Sequence, residues 1–302
     1  MLFSLLANLT VLFGISFLFL PNFVVTIDLP TADSVKPNFI TQVFTPKIPL
    51  PKDNQSVGMK ITAGSSAVLD LNSGAILWSK NSVQPRPLAS ITKLMTALVF
   101  LDHKPDWQTK ITIEEKDFRE GNRSAFPSGR EITVQDLFFS SLVSSSNTAT
   151  VALARSTGLS SEDFIKAMND KARVLGLADT KFIEVTGLDP NNVSTARDVL
   201  LLAKAAFSQP DIREATIKSE HRLPDGSVLK NTDQLLNSYL NISAGKTGSL
   251  DEAGYCLVSE VVGKDGQAII VAVLGSATTF DRFQDLKAVA QWTFDNFIWP
   301  KK

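Results

Sequence analysis

The hydrophobic period changes several times along this chain, and the order of the changes leaves few folds open. Short apolar runs at 67–71 and 75–79 flank Asn72-Ser73-Gly74, which predicts a β-hairpin. Ile91, Leu94, Met95, Leu98 and Val99 then recur at helical spacing from Ser90 to about Asp102, and shorter helical patterns fill 134–207. Strand patterns return at 227–229, 254–262 and 268–274, and a final helix is expected over about 281–297. Strand, helices, strands and helix in that order predict an α+β fold.

Ahead of this pattern, residues 2–20 are uncharged and almost wholly apolar, long enough to cross a bilayer as a helix of about twenty residues. Ser4, Asn8, Thr10 and Ser16 are its polar side chains and form no stripe of the kind a buried core helix keeps. A cleavable signal peptide carries Lys or Arg before its apolar region, whereas the first lysine here is Lys36, which favours a retained anchor. Pro30, Pro37, Pro46, Pro49 and Pro51 among polar residues then suit an extended tether. The expected division is an anchor or signal segment over 1–25, a linker over 26–60 and a catalytic domain over 61–302.

Composition narrows the function. The net charge is −1 and the cations are scattered, so the footprint of a nucleic-acid binder is missing. Cys256 is alone and sits in an apolar run, which makes it a core residue. His103 and His221 stand far apart without metal-binding neighbours, so no metal and no cofactor is expected.

Ser-x-x-Lys occurs three times, at Ser90/Lys93, Ser227/Lys230 and Ser243/Lys246. Residues i and i+3 share a face in a helix and diverge in a strand, and Ser90/Lys93 is the copy that opens a helical pattern. On that helix the pair lies beside the apolar stripe, so one face can be buried while the pair faces a cleft. Ser90 in the first turn meets free backbone N–H groups and the positive end of the helix dipole. A lysine desolvated near other cations loses basicity and can take the serine proton.

Two further segments supply matching chemistry. Ser145-Ser146-Asn147 falls between helical patterns, on a loop that can deliver a hydroxyl for proton relay and an amide for orienting a peptide. Lys246-Thr247-Gly248 precedes a strand pattern, where Gly permits close approach, Thr offers a hydroxyl and Lys a cation for a carboxylate.

These three elements, in this order, resemble the penicillin-recognising serine enzymes, most closely the low-molecular-mass D-alanyl-D-alanine carboxypeptidases. The segment 88–98 is similar to that family's nucleophile helix nearly residue for residue, with Leu88 in place of a usual Pro. Gly187-Leu188-Asp189, Ser194-Thr195-Ala196-Arg197-Asp198 and Lys246-Thr247-Gly248-Ser249 through Tyr255 stand at matching places, so the likeness covers about 67–297. Two positions depart from the family's middle motif: Ser146 stands for its Gly and Thr148 for its Asp.

The resemblance implies a β-lactamase/transpeptidase-like fold: an antiparallel sheet with N- and C-terminal helices on it and a mostly helical inserted subdomain. It also implies roles. Ser90 attacks the peptide carbonyl, Lys93 takes its proton, and Ser145 with Lys246 carries a proton to the leaving D-alanine. Asn147 positions the acyl donor, the backbone N–H groups of Ser90 and Ser249 hold the oxyanion beside Gly248, and Thr247 with Arg282 holds the terminal carboxylate. The expected partners are peptidoglycan stem peptides, β-lactams as covalent inhibitors, and the membrane through the N-terminal segment, at the extracytoplasmic face of a bacterial cell.

Rivals remain within the same chemistry. A class A β-lactamase needs a water-activating Glu in a Glu-x-x-Leu-Asn setting, and no such segment follows Asn147. An endopeptidase that cuts cross-links would use the same residues, and an acylated sensor would keep the cleft without turnover. Other serine hydrolases are disfavoured by the lack of a Gly-x-Ser-x-Gly elbow.

Overall fold

A computed structural model describes residues 48–300 apart from 54, 55, 57, 105 and 120–125. The apolar run 2–20 and most of the Pro-rich stretch lie outside the described residues. Among the described residues no helix is long and apolar enough to cross a membrane.

The first hairpin pairs β1 (Ser65–Asp70) with β2 (Ile76–Lys80), turning at Gly74. A 3-10 turn, Ala89–Ile91, leads into α1 (Thr92–Asp102). The helical middle comprises α2 (Val134–Val143), α3 (Asn147–Arg155), α4 (Ser161–Val174), α5 (Ala196–Phe207) and α6 (Pro210–Ile217). The chain then returns through β3 (Asn241–Leu250), β4 (Gly254–Val262) and β5 (Ala268–Ser276) and ends in α7 (Thr279–Asn296). The central sheet is antiparallel in the order β3-β4-β5-β1-β2, which leaves β3 at an edge.

Strand alternation gives this sheet two apolar faces. Ala67, Leu69, Val258, Ile270, Ala272 and Leu274 pack on the helical middle of the chain. Val68, Leu257, Val261, Val271 and Val273 pack on Phe283, Leu286, Val289 and Ala290 of α7. The result is the α+β arrangement expected, with helices on both faces of the sheet. Of the two terminal helices expected on it, the C-terminal one is α7; among the described residues no helix precedes β1.

Some expectations shift. Leu50–Pro51 pairs antiparallel with Phe297–Ile298, and Lys52 N donates to Asn296 O, so the stretch read as tether joins the fold before Ile61. Proline suits such a two-residue edge pairing, where a missing N–H costs little. Lys246-Thr247-Gly248 lies inside β3 rather than ahead of a strand. Asn147 is the first residue of α3 rather than a loop residue. Helix α1 does not present one open face, because every residue from Thr92 to Phe100 is buried.

Candidate active site

The site grows from the start of α1. Ala89 has φ 47°, a left-handed conformation that turns the chain sharply, and Ser90 follows in the 3-10 turn before Thr92 begins the α-helix. Lys93 is then one turn on, fully buried, and its Nζ lies 2.8 Å from Ser90 Oγ, 2.7 Å from Asn147 Oδ1 and 2.7 Å from the Thr186 carbonyl oxygen. Burial penalises the ammonium form and lowers its pKa to about 7, against the opposing charge of Glu184.

A second lysine enters from β3. Lys246 Nζ lies 2.8 Å from Ser145 Oγ and 3.0 Å from the Thr247 carbonyl oxygen, and the side chain is buried. Its pKa is held well below the ordinary lysine value by burial first, then by the charges of Lys93 and Arg282, with Asp233 opposing. Ser145 sits at φ 60°, between α2 and α3, in a region that non-glycine residues enter only where the surroundings hold them.

Close packing draws these elements together. At Gly248 a Cβ would come within 2.9 Å of the Leu88 carbonyl oxygen and 3.1 Å of Ser90 N, so the glycine lets β3 lie against the nucleophile turn. Gly187, at φ 89°, lies against the same turn from the other side, where a Cβ would overlap the Ala89 carbonyl. Arg282, at the start of α7, is buried and donates from Nη1 to the Gly248 carbonyl at 3.1 Å, with its guanidinium 4.8 Å from the Phe283 ring centroid. Thr247 Oγ1 lies 2.5 Å from Thr232 Oγ1, and Ser249 is exposed just beyond.

The residues singled out from sequence thus gather in one place: Ser90, Lys93 and Asn147 share one set of hydrogen bonds, Ser145 and Lys246 another, and Gly248 and Arg282 join the two. Sequence reasoning passed over the supports. Glu184 accepts from Thr186 N and Oγ1, each at 2.6 Å, from Gly187 N, and from Asn192 Nδ2 at 2.7 Å, which fixes the loop that offers the Thr186 carbonyl to Lys93. The signal was faint: Gly187 entered only through the family resemblance, and no motif or period marks Glu184, three residues earlier.

The departures in the middle motif have a local account at one position. Ser146 has φ −63°, which needs no glycine, and its hydroxyl accepts from Ala149 N at 3.2 Å as the N-cap of α3. Thr148 is buried, and nothing in the structure explains its replacing an Asp.

The arrangement of a partly exposed serine bonded to a buried lysine, facing a second lysine on an edge strand, defines a serine acyl-transfer enzyme. Penicillin-binding protein D2 from Listeria monocytogenes, in its cefotaxime-bound form, superposes with a TM-score of 0.68 at 30% identity, covering 79% of this chain and 100% of that one. A D-alanyl-D-alanine endopeptidase of Pseudomonas aeruginosa is 36% identical over 252 residues, 81% of each chain. D-alanyl-D-alanine carboxypeptidase DacF of Bacillus subtilis is 30% identical over 245 residues, 78% of this chain and 63% of that one. The sequence profile of the D-alanyl-D-alanine carboxypeptidase family matches residues 51–278, and the chain belongs to that family.

Proposed function

We propose that this protein is a serine-type D-Ala-D-Ala carboxypeptidase that removes the terminal D-alanine of peptidoglycan stem pentapeptides through an acyl-enzyme on Ser90, and that β-lactams acylate the same serine. The observation that carries the reading is the 2.8 Å contact between Ser90 Oγ and a fully buried Lys93.

The hydrogen-bond inventory gives the direction of proton flow. A neutral amine has two donors and one lone pair. Of the three partners of Lys93 Nζ, the Asn147 and Thr186 oxygens can only accept, so the lone pair is left for the Ser90 hydroxyl. Ser90 Oγ then attacks the penultimate peptide carbonyl as its proton passes to Lys93. Backbone N–H groups of Ser90 and Ser249 stabilise the oxyanion, a contribution typically worth about 10² to 10³ in rate per donor. The C–N bond breaks as Ser145, hydrogen-bonded to Lys246, delivers a proton to the departing D-alanine nitrogen. The proton that Lys93 took from Ser90 replaces the one Ser145 gave, so Lys93 is neutral again; it then draws a proton from the water that hydrolyses the ester and returns it to Ser90. Thr247, Lys246 and Arg282 supply the hydroxyl and cations for the substrate's terminal carboxylate.

A second reading, an endopeptidase acting on cross-links, is favoured by the Pseudomonas aeruginosa relative, whose length matches this chain more closely than that of the carboxypeptidase relative. The apolar run 2–20 supports a place at the extracytoplasmic face of the membrane, held by that segment.

The deciding experiment incubates purified protein with a fluorescent penicillin, with a pentapeptide ending in D-Ala-D-Ala, and with cross-linked dimers. Covalent labelling and D-alanine release are expected. Equal labelling of Ser90→Ala would sink the assignment, and faster cleavage of dimers than of pentapeptide would establish the endopeptidase. Carbonate extraction of membranes tests the anchor, since release into the soluble fraction contradicts it.

A further inference from the structure

The site has a rear wall, and it is charged. Gly245 and Ser259 are cross-strand partners on β3 and β4, and a Cβ at Gly245 would overlap Asp233 Oδ2 and come within 3.0 Å of Ser259 Oγ. Asp233 therefore packs on the residue that immediately precedes Lys246, in the space that glycine leaves open. The residue is 3% exposed.

One carboxylate oxygen, Oδ1, accepts from Leu235 N at 2.9 Å and caps the short 3-10 turn Gln234–Asn237. The other, Oδ2, lies with the Ser259 hydroxyl against Gly245, and that hydroxyl favours the charged carboxylate; among the described residues Oδ2 has no hydrogen bond of good geometry, and neither has Arg282 Nε. Buried polar atoms left unpartnered are uncommon, and a structural cap alone would need only one oxygen. The charges acting on Asp233 are those of Arg282 from α7 and Lys246 from β3; those acting on Lys246 are Lys93 from α1, Arg282 and Asp233. Three basic side chains thus converge, and Asp233 is the carboxylate set against Lys246 from behind its strand.

We propose that Asp233 is a positioning residue of this site, whose negative charge keeps Lys246 protonated and so preserves the cation that faces the substrate carboxylate and backs Ser145 as it gives a proton to the leaving nitrogen. It touches neither substrate nor the reacting atoms. The inference rests on the carboxypeptidase reading, in which Lys93 works as a neutral base and Lys246 as a cation. Burial raises the pKa of Asp233 and lowers that of Lys246, so each of the two groups is costly to keep charged without the other.

The test is the pH dependence of kcat/KM for D-alanine release, measured on the full chain and on Asp233→Asn. Asparagine keeps the acceptor for Leu235 N and the shape, and removes only the charge. The alkaline limb, which reports loss of the Lys246 proton, is expected to move down by about one pH unit, with roughly tenfold lower activity on that limb. The acid limb should move less. An unmoved alkaline limb with a lowered melting temperature would reduce Asp233 to a turn cap and overturn the proposal. If the unsubstituted protein releases no D-alanine at any pH, the functional reading has failed, and this inference falls with it. Should Asp233→Asn fail to fold, the ¹³C carboxyl resonance of Asp233 in the unsubstituted protein must show an inflection at the pH of the alkaline limb; a flat trace there overturns the proposal.

Discussion

Gly187 lies against the carbonyl of Ala89, so close that a methyl group added at Gly187 would overlap that oxygen and come within 2.9 Å of Ser90 N. The loop that feeds the Thr186 carbonyl to Lys93 is therefore also the floor of the nucleophile turn. Gly187→Ala must displace one or the other, and it additionally forces a side chain into φ 89°, at a cost of about 1–2 kcal/mol. The expected outcome is a folded protein of lower melting temperature whose acylation by penicillin is slowed by about two orders of magnitude or more. Stopped-flow labelling beside a thermal melt checks it; wild-type acylation in a folded variant would contradict the packing.

Lys93 makes the acid side of the pH profile predictable. The proposed mechanism uses its neutral form, and its folded pKa is about 7, so kcat/KM should fall tenfold per unit below that pH. A profile flat down to about pH 5 would exclude Lys93 as the base.

The same shift acts on stability with a definite sign. The folded pKa of about 7 lies below the ordinary 10.5, so between them the unfolded chain binds the extra proton and stability rises with pH across that window. Lys93→Met should flatten this rise, which denaturant titrations at several pH values would measure. An identical slope in the variant would show that the rise comes from other groups.

Ser146 offers a clean separation of fold from chemistry. Its hydroxyl caps α3, so Ser146→Ala should lower stability by about 1 kcal/mol while penicillin labelling stays within about twofold. Loss of labelling without loss of stability would mean that the hydroxyl takes part in the reaction.

Asp285 ties the last helix to the segment just before β1 and to the end of β5. It accepts from Thr62 N at 2.9 Å, Ala63 N at 2.8 Å, Thr62 Oγ1 at 2.8 Å and Ser276 Oγ at 2.7 Å, and the bonds from Ala63 and Ser276 are buried. Asp285→Ala should cost about 3 kcal/mol in a urea melt, because several donors lose their partner at once. A change under about 1 kcal/mol would show that water replaces the carboxylate.

How much of this could be read from the chain depended on whether the signal was periodic or tertiary. Helix α1 was legible because Ile91, Leu94, Met95 and Leu98 repeat at 3.6 residues, and the β4 and β5 runs because they are continuous and apolar. Strand β3 was not, since Ala244-Gly245-Lys246-Thr247-Gly248 lacks the branched residues that mark a strand. Its glycines are spent on contacts with Asp233, Ser259, Leu88 and Ser90 that no local pattern records. Lys93 was placed beside a stripe, yet it is buried, because helices and the sheet close on α1 from every side. Glu184 and Asp233 belong to no motif or period; their surroundings come from Asn192 and Arg282, distant in the chain.

The packing of Gly248 against Leu88 and Ser90 also sets an order in time. Synthesis delivers Ser90 and Lys93 long before β3 and α7, the last pieces that wall them off from water. Until those pieces dock, Lys93 is a solvated ammonium and Ser90 an ordinary hydroxyl. On the proposed mechanism the nascent chain carries Ser90 disarmed, and reactivity arrives only with the completed sheet.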